Sequence, residues 1–158
     1  MNQITSVQPR QLVSFVDSLM VPIKEATLLL PVSAVSEVVE KLPVSSVESD
    51  HQWYLGMIEW REQEIPLVCY EALIGGELQS LTENARIAIL KASGEKPKFG
   101  FYGLVTQGYP RSVRITPTSD FRPQGDEALD AGVLMYATLD DNGVVMPDLA
   151  YIEKQLSQ

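Results

Sequence analysis

At 158 residues, 45% of them hydrophobic, the chain is long enough for one domain with a sizeable core. Twelve basic residues against twenty-one acidic ones give a net charge of -9, a field that repels phosphate backbones and anionic membranes, so nucleic-acid binding would need a strong local basic patch. The single cysteine excludes an internal disulfide, no apolar run approaches the length of a membrane span, and the first eighteen residues lack the basic start and long apolar core of a signal peptide; a cytoplasmic protein is expected.

Residues 1–18 contain Pro9 and mixed polarity and read as a loosely held arm. From Leu19 a β-pattern begins: Leu19 to Ile23, a turn at Lys24-Glu25, then Ala26 to Pro31, with Pro22 suited to an edge strand. A short turn and a further strand follow over Val32 to Val39, and residues 40–52, with Pro43, three serines and His51, form a loop. Two apolar runs, Tyr54 to Trp60 and Glu64 to Tyr70, flank the polar tetrad Arg61-Glu62-Gln63-Glu64 and predict an antiparallel hairpin. Neither face of that hairpin is consistently polar, so it is expected to be covered on both sides at the centre of the fold. Glu71 to Ile74 is one helical turn stopped by Gly75-Gly76, and 75–84 is a surface connection.

Ala85 to Ala92 and Phe99 to Gln107 are strands joined by a turn, 108–115 continues the pattern, and the polar stretch 116–130 reads as an irregular loop. Val133 to Leu139 and Val144 to Met146 flank Asp140-Asp141-Asn142-Gly143, where Asn-Gly signals the hairpin turn. A helix over Leu149 to Leu156, capped by Asp148, closes the chain. About ten short strands with turns between them point to an all-β barrel or sandwich.

Catalytic signals are few. His51 is the only histidine, so a triad or histidine pair is excluded; a nucleophilic Cys69 served by His51 has no third group, and Cys69 reads as a small buried hydrophobe. Asp140-Asp141-Asn142-Gly143 lacks the spaced acids and terminal glutamate of a calcium loop. No catalytic, cofactor-binding or metal-binding residue is predicted, and the chain is not expected to be an enzyme. Charge is uneven: residues 85–115 hold six basic residues and the single acid Glu95, whereas 116–158 hold eight acids and two bases. These are either solvated loops or patches that orient protein partners.

The hairpin also carries a family resemblance. Leu55, Gly56, Ile58, Arg61, Ile65 and Pro66 match the ungapped pattern L-G-x-I-N-L-R-G-x-x-I-P-V-x-D-L of CheW-like domains. Glu59 and Trp60 stand where asparagine and leucine are usual, and Glu62 replaces the turn glycine, so a different or strained turn is expected. Upstream, Val35-Ser36-Glu37-Val38 after Pro31 resembles the V-x-E-V of the same family, and 85–115 resembles its second half; the resemblance spans residues 19–152. The WREQ hairpin tip, the LLLP run and the GYPRSVRI segment are most similar to the ChpC type, found in type IV pilus chemosensory systems.

The resemblance implies two intertwined five-stranded SH3-like β-barrels with short helices and a short C-terminal helix, as a single domain over 19–158 behind an arm over 1–18. It implies a non-enzymatic adaptor, monomeric when isolated, that couples the cytoplasmic tip of a chemoreceptor to the regulatory domain of a CheA-type histidine kinase. It implies no cofactor, no nucleic acid and no membrane insertion. The receptor-facing residues it implies are Val35, Glu37, Gly56 and Arg61, with Glu37 holding Arg61 as a fixed planar donor array. Trp60, by contrast, reads as a packing residue. A small β-barrel that binds a ligand or nucleic acid remains the alternative, with a similar fold.

Overall fold

The computed structural model describes residues 15–78, 81–94, 98–125 and 129–158. Among the described residues eleven strands run β1 (Val16–Pro22), β2 (Thr27–Pro31), β3 (Val35–Glu40), β4 (Tyr54–Trp60), β5 (Gln63–Val68), β6 (Arg86–Lys91), β7 (Phe101–Thr106), β8 (Arg111–Ile115), β9 (Phe121–Pro123), β10 (Val133–Leu139) and β11 (Asn142–Pro147). A 3-10 turn over Val32–Ala34 precedes β3, and two helices, α1 (Tyr70–Leu73) and α2 (Leu149–Leu156), follow β5 and β11. One sheet has the order β8-β1-β2-β11-β10-β9 and the other β3-β6-β7-β5-β4. The first sheet takes β1, β2 and β8 to β11, and the second takes β3 to β7 from between them; β2 and β11 meet in parallel through Val145 and Leu28.

Alternating side chains build three cores. Ile58, Trp60, Ile65, Leu67, Ile87, Ile89 and Val105 fill the inside of the second sheet, and Met20, Leu29, Ala137, Leu139 and Val144 the inside of the first. Between the sheets lie Val21, Leu28, Leu30, Val68, Tyr70, Ala88, Leu90, Tyr102 and Leu104, joined by Ile152 and Leu156 of α2. This explains why Ile87 to Leu90 is an unbroken apolar run: odd positions face one core and even positions the other. The all-β, two-barrel expectation holds, with six strands rather than five in the first sheet.

Several expectations are corrected. The β4–β5 hairpin is not central: β4 ends the sheet order, with Glu59 exposed and Leu55 and Met57 half-buried, while β6 and β7 lie between the hairpin and β3. The open side of β4 is covered by Ser45, whose N–H and C=O both bond Met57 at 2.8 Å. Pro22 does not lie on an edge strand. β1 sits between β8 and β2, and the proline is tolerated at its last position, beyond the Val16-to-Met20 register with β8. β1 begins at Val16, so the last three residues assigned to the arm belong to the sheet; most of that arm, residues 1–14, lies outside the described residues, as do 79–80, 95–97 and 126–128 within predicted connections.

The stretch 116–130 contains β9, three residues paired with β10 and too short to show a period; Phe121 packs onto the first sheet's core. The β10–β11 turn is Asp140-Asp141, with φ of 51° and 66°, and Asn142-Gly143 opens β11. This register sets buried Val144 opposite buried Ala137, whereas a turn at Asn-Gly would have placed the valine against an aspartate. The predicted C-terminal helix is present, and Asp148 Oδ1 accepts from Tyr151 N–H at 3.2 Å. Glu153 of α2 accepts from Ser93 and Gly94 N–H at 2.9 and 3.0 Å, binding the helix to the second sheet.

Candidate protein-binding site

The hairpin that closes β4 onto β5 is tighter than the polar tetrad implied. Trp60 pairs with Gln63, leaving Arg61 and Glu62 as a two-residue turn with φ of 48° and 65°. Positive φ at both central positions is the type I′ pattern that favours asparagine and glycine, and here both places hold long charged side chains. The expected strain is therefore real, on the order of 1 kcal/mol or more per residue.

A bulge on β3 decides what meets this turn. Val35 pairs with Leu90 and Glu37 with Ile89, with Ser36 as the extra residue. Leu90 faces the core between the sheets and Ile89 the inside of the second sheet. Residues two apart on a regular strand share a face, but the bulge puts Val35 and Glu37 on opposite ones. Glu37 lies above Trp60: its Oε1 accepts from Trp60 Nε1 at 3.0 Å and from Arg61 Nη2 at 3.3 Å. The Arg61 guanidinium carbon sits 4.5 Å from the centroid of the Trp60 ring, and that ring packs against Phe101 at 4.8 Å. Arg61 pairs with Glu37 and not with adjacent Glu62.

Of the four predicted residues, the structure brings Glu37 and Arg61 together and leaves the other two elsewhere. Val35 packs against the core between the sheets. Gly56 is buried at a φ of 140°. A Cβ there would collide with the Ser45 carbonyl oxygen and come within 2.8 Å of Val44 Cγ1, so the close approach it permits is to the chain's own backbone. Trp60 is only 6% exposed, the packing residue expected. Its contact to both members of the pair was not foreseen; the available signal was an indole N–H at a position where the family pattern has leucine.

The two charged side chains are 65% and 42% exposed, so their ion pair contributes at most about 1 kcal/mol to stability. Both therefore remain available to a partner. The other chemistry-bearing groups are tied down locally. His51 stacks on Trp53 at 5.1 Å, and the buried Cys69 thiol lies 3.7 Å from Glu71 Oε1. Of the basic residues over 85–115, Arg86 lies over Tyr109, Arg111 reaches Met20 Sδ, and Arg114 pairs with Asp17 at 2.9 Å. Among the described residues no group of three or more His, Cys, Asp or Glu side chains could hold a metal ion, and no helix is long and apolar enough to cross a membrane.

Comparison with known proteins agrees with this architecture. The sequence model of the family described as CheW-like domain matches residues 17–155. No curated protein matches. Among solved structures, the scaffolding protein TtCheW from Thermoanaerobacter tengcongensis superposes with a TM-score of 0.69 at 20% identity, over 85% of this chain and 84% of that one. At that identity the likeness speaks to the fold, whereas the family match spans both sheets and α2 nearly to its end: this chain belongs to the CheW-like domain family.

Proposed function

We propose that the chain is a non-enzymatic cytoplasmic adaptor of chemotaxis-type signalling, which binds a chemoreceptor's cytoplasmic helical tip and the regulatory domain of a CheA-type histidine kinase. Family membership supports the adaptor role. The observation that carries the receptor contact is the exposed Glu37–Arg61 pair, taken from β3 and the β4–β5 turn and set on Trp60. A guanidinium held in one orientation presents several donors at low entropic cost, which suits recognition of polar groups on a helix. Val35 and Gly56 support that surface from within: one packs between the sheets and the other admits the 44–45 segment beside β4.

The departures from the family pattern at Glu59, Trp60 and Glu62, with LLLP and GYPRSVRI, support the ChpC type, and hence a chemosensory system that controls type IV pili and twitching motility. The test is direct binding of the purified chain to an immobilised receptor tip fragment and to the isolated kinase regulatory domain. Binding to both, with a twitching defect in a deletion strain, is the expected result. Binding to neither would overturn the adaptor role, and a defect confined to swimming would overturn the pilus assignment.

A further inference from the structure

The Glu37–Arg61 pair does not hold itself. With the arginine 65% and the glutamate 42% exposed, solvent screening leaves their attraction comparable to the rotamer freedom lost in fixing two long side chains. Trp60 supplies what is missing. Its Nε1–H donates to Glu37 Oε1 at 3.0 Å, its ring face lies 4.5 Å beneath the Arg61 guanidinium, and the ring is fixed by Phe101 and by burial. A leucine has neither a donor nor a π face, so it could pack into the core but could orient neither charge.

We propose that Trp60 is a positioning residue for partner recognition: it fixes Glu37 through its indole N–H and Arg61 through its ring, making the two charges one rigid binding element. This inference rests on the adaptor reading above. At 6% exposure Trp60 has little surface to offer a partner, so it acts through the two charged side chains. Substituting leucine is then predicted to preserve the fold and loosen the recognition surface.

The test uses the full chain with a soluble chemoreceptor tip fragment as probe. Trp60→Phe keeps a ring between Phe101 and Arg61 but removes the donor, and it is expected to weaken tip binding about fivefold, the equivalent of roughly 1 kcal/mol for one partly exposed hydrogen bond. Trp60→Leu removes both contacts and is expected to cost more than tenfold. Glu37→Ala combined with Trp60→Phe should be less than additive in binding, because each removes one partner of the same bond. A nuclear magnetic resonance spectrum of Glu37→Ala adds a readout independent of stability: the Trp60 indole N–H signal should move while that of Trp53 stays.

Wild-type binding by Trp60→Phe and Trp60→Leu, alongside weakened binding by Arg61→Glu, would overturn the positioning role and leave the adaptor reading standing. An unmoved indole signal in Glu37→Ala would also overturn it. If the wild-type chain binds no tip, or Arg61→Glu binds as wild type, the receptor reading fails and this inference falls with it.

Discussion

Replacing Trp60 by alanine removes the largest side chain from the inside of the second sheet, and its cost follows from what the side chain touches. The residue is 6% exposed, packs on Phe101 and lies among Ile58, Ile65, Leu67, Ile87, Ile89 and Val105. Truncation of a buried tryptophan costs about 3–5 kcal/mol in lost transfer energy and residual cavity. The lost bond to Glu37 adds little, because the freed carboxylate is near solvent. For a domain of this size each kcal/mol moves the melting temperature by about 2–4 °C, so a fall of roughly 6–20 °C is expected, a large share of a typical stability of about 5–15 kcal/mol. Calorimetry and guanidinium unfolding measure it. A melting temperature within about 2 °C of wild type would refute the packing assigned to β4, since no buried tryptophan is deleted so cheaply.

Glu62→Gly should stabilise the fold by about 0.5–1 kcal/mol, because glycine adopts the φ of 65° without steric cost; chemical denaturation reads the gain, and a loss of stability would show that the turn is not strained. Gly56→Ala should destabilise by more than about 2 kcal/mol, since the new methyl meets the Ser45 carbonyl and no flexible side chain can yield there. A near-native melting curve for that variant would deny the 44–45 segment its place beside β4. The Tyr70 and Tyr102 phenols have their pKa values raised above the usual 10.0, by burial first and then by nearby acidic groups, Glu153 in the case of Tyr102. Both hold their protons more tightly when folded, so this contribution to stability is complete below pH 10.0 and is lost as the pH rises above it. Alkaline titration of tyrosinate absorbance should therefore show these phenols ionising together with unfolding, and smooth ionisation at the ordinary pH in a folded protein would contradict their burial.

Local signals were legible where one face or one cap dominated. Asp148 marked the start of α2, Gly75-Gly76 marked the end of α1, and the two apolar runs flanking the polar tetrad marked the β4–β5 hairpin. Partner choice in the sheets was less so. The apolar β4–β5 hairpin looks central by composition, yet only pairing reveals that β6 and β7 lie between it and β3, because hydrophobicity reports burial and not strand order. Asn142-Gly143 carried the stronger turn signal and lost to the register that buries Val144, a non-local gain.

At the site, Glu37 and Arg61 were named from pattern and do meet. Val35 was named with Glu37 from the same resemblance, and the bulge at Ser36, which has no residue signature, sets the two on opposite faces. Trp60 was recognised as core but not as the bridge between the charges, since its donor acquires a partner only through the β3 bulge and the turn together.

The most direct test of the account is Arg61→Glu, measured for both folding and receptor binding. Arg61 is mostly exposed and its ion pair contributes little to stability, so the variant should melt within a few degrees of wild type. Two adjacent glutamates would then repel where a fixed guanidinium stood, and binding to a chemoreceptor tip fragment should weaken tenfold or more, on the order of 1.4 kcal/mol. Unchanged binding with a native melting curve would remove the Glu37–Arg61 pair from the recognition surface, and unfolding would make the pair structural.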